Sequence, residues 1–140
     1  MNKSLFLKPL KDLDYFDEEL DTLYLSRYLY LLFSSPNSLE EDAELWQLSK
    51  VLNLDLTIFF TMLNQNDRFE AIKDLKMVLD KMLNQMQIAP TFWKNLHLKR
   101  TIWRDYFIDK RGFRYDLQLF NQHLDFLEKK GVLKIAFWEL

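Results

Sequence analysis

Residues 66–87, NDRFEAIKDLKMVLDKMLNQMQ, constrain the fold more than any other stretch. Phe69, Ile72, Leu75, Leu79, Met82, Leu83 and Met86 recur at steps of three and four, the spacing that gathers side chains on one face of an α-helix. A helix with one apolar stripe must bury it against other elements, so it predicts partners of its own kind. The chain can supply them, because two glycines and three prolines in 140 residues leave long stretches without helix breakers. Hydrophobic residues make up 49% and the net charge is only −2, which excludes intrinsic disorder on compositional grounds. A chain of this length buries roughly two thirds of its unfolded surface, enough for a core without metals or cross-links.

The punctuation predicts the neighbours. Asp14 is placed to cap a first helix running to about Ser34, with Asp17, Glu18 and Glu19 at its electropositive start. From Leu23 onward this segment is apolar nearly all round, the pattern of a central buried helix. After Pro36, SLEE reads as a capping box, Ser38 capping and Glu41 reaching back, and opens a second helix to about Leu52. A third helix follows Asp55, and the apolar stripe is the fourth. A fifth runs from about Thr91 towards Lys110, and a sixth from Leu117 to Lys130 with Asp116 as cap and Gly131 as C′ residue. The tail then changes to the period of a strand over residues 132–138, and a strand needs a partner, either 4–8 or 111–115. The expected architecture is mainly α: a single domain over residues 1–140, without a linker, built as a bundle of five to six helices with a small accessory β element.

With no cysteine, the chain has neither a disulfide framework nor thiolate metal ligands. The apolar run Leu5–Leu7 is too short for a signal-peptide core. The longest run, Tyr28–Phe33, falls far below the roughly 18 residues of a membrane span. These features predict a cytoplasmic protein without membrane association. No metalloprotease, P-loop, nucleophile-elbow or dinucleotide motif occurs, and two glycines cannot build a phosphate cradle. His97 and His123 lie on different predicted helices without ligand spacing. His123, between Phe120 and Phe126, reads as a hydrogen-bonded flank of the core, and His97 as exposed. The EEDAE cluster lacks the central glycine of a calcium loop. The expectation is therefore no catalytic, metal-binding or cofactor-binding residue, and no enzyme.

Charge is distributed unevenly. Residues 11–45 carry ten acidic and two basic side chains, whereas residues 94–114 carry seven basic and two acidic ones. Two fields of opposite sign suit partners of opposite charge. On the acidic side, Asp14, Tyr15, Asp17, Glu18, Asp21, Glu40, Glu41, Asp42 and Glu44 predict a surface for a protein partner with a basic surface. Aromatic anchors would supply affinity there and carboxylates steering. A small chain working in this way is of the inhibitor or immunity-protein type, the leading functional expectation.

The basic stretch KRTIWRDYFIDKRGFRY, residues 99–115, supports an alternative. On one helix over 92–111, Phe92, Leu96, Trp103, Tyr106 and Phe107 would face the core, with Trp93, His97, Arg100, Arg104 and Arg111 on an adjacent stripe. Together with Arg114, these residues would form a nucleic-acid-binding module, arginines on phosphates and Trp93 under a base. The predicted order strand, helix, strand over 111–135 resembles the C-terminal part of a winged helix, though no second wing strand follows. The sixth helix also offers few residues that read base edges. Pairing of the arginine face with the acidic half within one fold competes with this alternative. A homodimer built on Met77, Met82 and Met86 is a third possibility.

Overall fold

The computed structural model describes residues 5–10, 23–36 and 42–139. In chain order these form β1 (Leu5–Pro9), β2 (Tyr24–Leu25), α1 (Arg27–Phe33), α2 (Glu44–Leu52) and α3 (Thr57–Asn64). There follow β3 (Glu70–Ala71), α4 (Ile72–Ile88), a 3₁₀ turn (Phe92–Asn95), α5 (Thr101–Ile108), α6 (Phe113–Lys129) and β4 (Lys134–Glu139). The protein is thus mainly helical, with a small antiparallel sheet of strand order β2-β1-β4-β3.

The apolar stripe forms α4 and buries Ile72, Leu75, Leu79, Met82 and Met86. It packs on α6, which buries Phe113, Leu117, Phe120, Leu124 and Leu127 at the same helical spacing. Each such side chain contributes about 1.5–3 kcal/mol when fully buried. Two aromatic clusters fill the space between layers. Phe33 stacks on Phe59 with centroids 4.6 Å apart, and Phe120 and Phe137 extend this group from α6 and β4. Phe92, Trp103, Tyr106, Phe107 and Phe113 form the second, Phe107 meeting Phe113 edge-on at 5.0 Å. Most of the aromatic content of residues 99–115 is thereby spent on the core.

β4 pairs with β1 from Leu5 opposite Glu139 to Pro9 opposite Ile135. The N-terminal segment is therefore the strand's partner, and 111–115 is not. Arg111 and Gly112 form a turn, and Phe113 opens α6 because Phe113 and Leu117 reach the core at helical spacing. The order that resembled a winged helix is absent for this reason. Gly131 ends α6 as expected: its φ is 83°, its N–H bonds to Glu128 O and the Val132 N–H to Leu127 O, each at 3.0 Å. This is the Schellman geometry that glycine admits without a Cβ penalty.

Three other expectations need correction. The predicted first helix does not extend back through Leu23. Leu23 and Leu25 point inward and Tyr24 outward, a period of two that lets this segment pair with β1, so the helix starts only after Ser26. Nor is α1 buried all round, since Tyr28 and Leu31 are exposed. Asp116 does not cap α6, which begins at Phe113 and carries Asp116 inward one turn on. The Ser38 capping box lies outside the described residues, and α2 begins at Glu44. Asp55 does open α3, accepting the Thr57 N–H at 2.9 Å; hydrogen bonding from the Thr57 side chain first, and from its backbone second, holds the Asp55 carboxyl below the usual range.

Candidate functional site

The predicted fifth helix is two pieces. After the 3₁₀ turn the chain is extended at Leu96 (ψ 136°) and Arg100 (ψ 134°), then turns into α5. Gln47 of α2 supplies the reason. Its side-chain oxygen accepts the His97 N–H at 2.6 Å, and its amide nitrogen donates to His97 O at 3.1 Å and to Asp42 O at 2.5 Å. Backbone groups satisfied from outside need no helical partner, so an extended path costs no hydrogen bonds here.

The single stripe from Trp93 to Arg111 therefore does not exist, yet Trp93, Arg100 and Arg104 still meet. They line a cleft of about 420 Å³ framed by the 3₁₀ turn and α5, together with Lys94 and Lys99. The Arg104 guanidinium and the Lys94 ammonium each lie 5.6 Å from the Trp93 ring centroid, within cation–π range. No carboxylate lines this cleft among the described residues. Leu98 and Lys99 also belong to an adjoining cleft of about 610 Å³, which holds exposed His97, Lys50 and Asp42. Lys99 pairs with Asp42 at 3.2 Å, with side chains 80% and 64% exposed. This contact joins the basic segment to the acidic half, but ion pairs so open to water contribute little. Arg111 and Arg114 are not part of the arrangement: Arg111 lines a separate cleft with Asp105 and Asp109, and Arg114 lies exposed on α6.

Of the predicted acidic surface, Asp14, Tyr15, Asp17, Glu18, Asp21, Glu40 and Glu41 lie outside the described residues. Asp42 borders the larger cleft, and Glu44 sits in the first turn of α2, where a carboxylate suits the helix dipole. A second candidate surface emerges from the sheet. Phe6 stands opposite Tyr24 on one side and Trp138 on the other, forming a row of three rings across three strands. It lies on the face away from Leu5, Leu7 and Phe137. Phe6 and Tyr24 meet edge-on at 6.4 Å, while Tyr24 is 53% and Trp138 51% exposed. The methionine surface is not formed, because Met82 and Met86 are core residues and only Met77 reaches solvent.

One cluster was not anticipated. Asp116, 9% exposed, accepts hydrogen bonds from the Ser26 hydroxyl and, at 2.7 Å, from the Tyr106 hydroxyl. Ser26 Oγ also accepts the Leu29 N–H at 3.1 Å as the cap of α1. Burial pushes the Asp116 carboxyl above its usual range, against the opposing pull of the two hydroxyls, and burial next to Asp116 pushes the Tyr106 phenol upward. Every hydroxyl is engaged, so the group acts as a clamp joining α1, α5 and α6. No spacing rule links residues 26, 106 and 116. His123 is half-buried and hydrogen-bonded to the Tyr24 backbone, and burial lowers its pKa, as befits a flank of the core. Among the described residues its Nε2 has no hydrogen-bond partner.

Among the described residues no group of three or more metal-ligating side chains occurs, and no helix is long and apolar enough to cross a membrane. Comparison of the chain with known protein families, curated proteins and solved structures finds no match.

Proposed function

We propose that this protein works without chemistry of its own, by binding a protein partner with a basic surface in the manner of an inhibitor or immunity protein. The observation that carries the proposal is the row Tyr24–Phe6–Trp138 on the sheet, with half-buried Phe6 between exposed Tyr24 and Trp138. The connector between β1 and β2, residues 11–22, contains Asp12, Asp14, Asp17, Glu18, Glu19 and Asp21. The described residues that flank it are tied to this sheet, Leu10 N–H bonding to Lys134 O and Leu7 N–H to Leu23 O. Phe6 and Tyr24 thus stand on the two strands that this acidic sequence joins. Aromatic anchors are the side chains that dominate binding energy, and surrounding charge governs encounter rate and choice of partner.

Immobilised protein should capture one stoichiometric basic protein from native extract, and adding it to that partner should suppress the partner's activity. Tyr24→Ala with Trp138→Ala should weaken the complex by more than tenfold, as loss of two anchors of about 1–2 kcal/mol each requires. Raised salt should slow association more than it speeds dissociation. Equal binding by the double variant sinks the proposal. So does turnover of any substrate that one polar substitution abolishes.

A further inference from the structure

We propose that the groove running from Trp93 and Arg104 past Lys99 to His97 binds single-stranded nucleic acid. It is built from the 3₁₀ turn, α5 and the edge of α2, not from the sheet face, so this proposal and the protein-binding one stand or fall separately.

Four cations line the smaller cleft: Lys94, Lys99, Arg100 and Arg104. Lys94, Arg100 and Arg104 make no ion pair among the described residues, and Lys99 has only its exposed contact with Asp42. Uncompensated charge of one sign in a concave site concentrates counter-ions there. Phosphates spaced along a strand fit cations distributed along a groove better than a single small anion does. The half-buried Trp93 ring adds what a purely anionic ligand has no use for, a π-surface at the level of the cations. Backbone-tracking cations with an aromatic platform are the recurring solution for single strands.

A duplex fits less well. Major grooves are read by a protruding helix or a two-stranded ribbon, whereas this groove lies between a 3₁₀ turn and α5, which buries Trp103, Tyr106 and Phe107 against the core. The groove is also held open before any ligand arrives, since Gln47 fixes the extended path at His97 through both backbone groups.

The test is fluorescence anisotropy of the full chain with labelled oligothymidylate and mixed-sequence RNA of about 15–20 nucleotides, longer than one such site. The same sequence as duplex, heparin and phosphatidylserine vesicles serve as competitors. Neutralising three or four phosphates of a single strand predicts affinity falling roughly 20- to 50-fold as salt rises from about 50 to about 200 mM. Arg100→Glu with Arg104→Glu, both exposed positions, should abolish binding while leaving the melting temperature unchanged. Trp93→Ala should cost about 5- to 150-fold. A folded Trp93→Phe variant should retain most of the affinity. Binding that survives the double arginine variant overturns the proposal. So does competition by duplex, heparin or vesicles as effective as by single strands, which would mark a generic polyanion surface. Absence of binding at low salt also overturns it, and is the outcome expected if the acidic residues around Asp42 neutralise the groove.

Discussion

Gly112→Ala tests the packing of the α5–α6 turn most directly. A Cβ built on Gly112 falls 2.0 Å from the Tyr106 carbonyl oxygen, 3.0 Å from its carbon and 3.2 Å from Asp109 O. With φ at −93°, the restriction is one of contact and not of a left-handed backbone. All three atoms are main chain, so no side chain can swing aside. Ordinary contact begins near 3.4 Å, so the turn must open by about 1.4 Å. It is held by Gly112 N–H to Asp109 O and Asp116 N–H to Gly112 O, each 3.0 Å, bonds contributing about 1 kcal/mol apiece. Overpacking of this kind costs about 1–3 kcal/mol. Adding one weakened hydrogen bond gives a destabilisation of about 2–4 kcal/mol. A chain of 140 residues has an unfolding entropy near 0.3 kcal/mol/K, so the melting temperature should fall by about 7–13 °C. Calorimetry with a matched urea titration at unchanged m-value measures it. A fall under about 3 °C, equivalent to about 1 kcal/mol, would refute the claim that backbone contact dictates glycine here. Gly131→Ala offers the contrast: a left-handed φ of 83° predicts about 1–2 kcal/mol from conformation alone.

Asp116 supplies a pH test. Its folded pKa lies above the ordinary 3.8, so the native state holds the proton more tightly and stability falls as pH rises from about 3.8 through the folded value. Asp116→Asn keeps an acceptor and removes the charge. Urea midpoints should therefore shift in favour of the variant between acid and neutral pH, and a constant difference would contradict the buried carboxylate. His123 has the opposite slope. With its folded pKa below 6.5, its contribution to stability is complete above 6.5 and is lost as pH falls through the folded value. His123→Gln should flatten that limb of the stability curve, and an unchanged limb would count against burial as the cause. Gln47→Ala removes both clamps on His97. Hydrogen exchange at residues 96–100 should rise well beyond any global loss, which bonds of about 1 kcal/mol each keep small. Protection that stays intact would show that something else holds the extended path.

Local pattern made much of the helical layer legible. The α4 stripe, the Asp55 start and the Gly131 stop each depend on residues within a turn of one another, and propensity and capping act at that range. Where tertiary partners intervened, the same rules misled. Leu23, Tyr24 and Leu25 alternate inward and outward as well as they suit a helix, and β1 decides between the two. Residues 96–100 have helical composition, but a glutamine fifty positions before His97 takes both backbone bonds of that residue. Asp116 has the look of a cap, yet it turns inward to two hydroxyls that no motif connects to it.

The candidate sites divide along the same line. Basic and aromatic residues between Trp93 and Arg104 were recognisable as a set, although the surface they share comes from a broken segment and not from one helical face. Arg111 and Arg114 belonged to the set in sequence only. The row Tyr24–Phe6–Trp138 joins three strands far apart in the chain, so pairing register alone created it. Composition and periodicity by themselves determined a chiefly helical chain with charge of opposite sign in two regions, because burial of an apolar stripe and placement of charge are set by neighbouring residues. Which rings share a face, which cations share a groove and which carboxylate is buried were decided only in the tertiary structure, because contacts between distant segments follow from packing and hydrogen-bond register that no short window encodes.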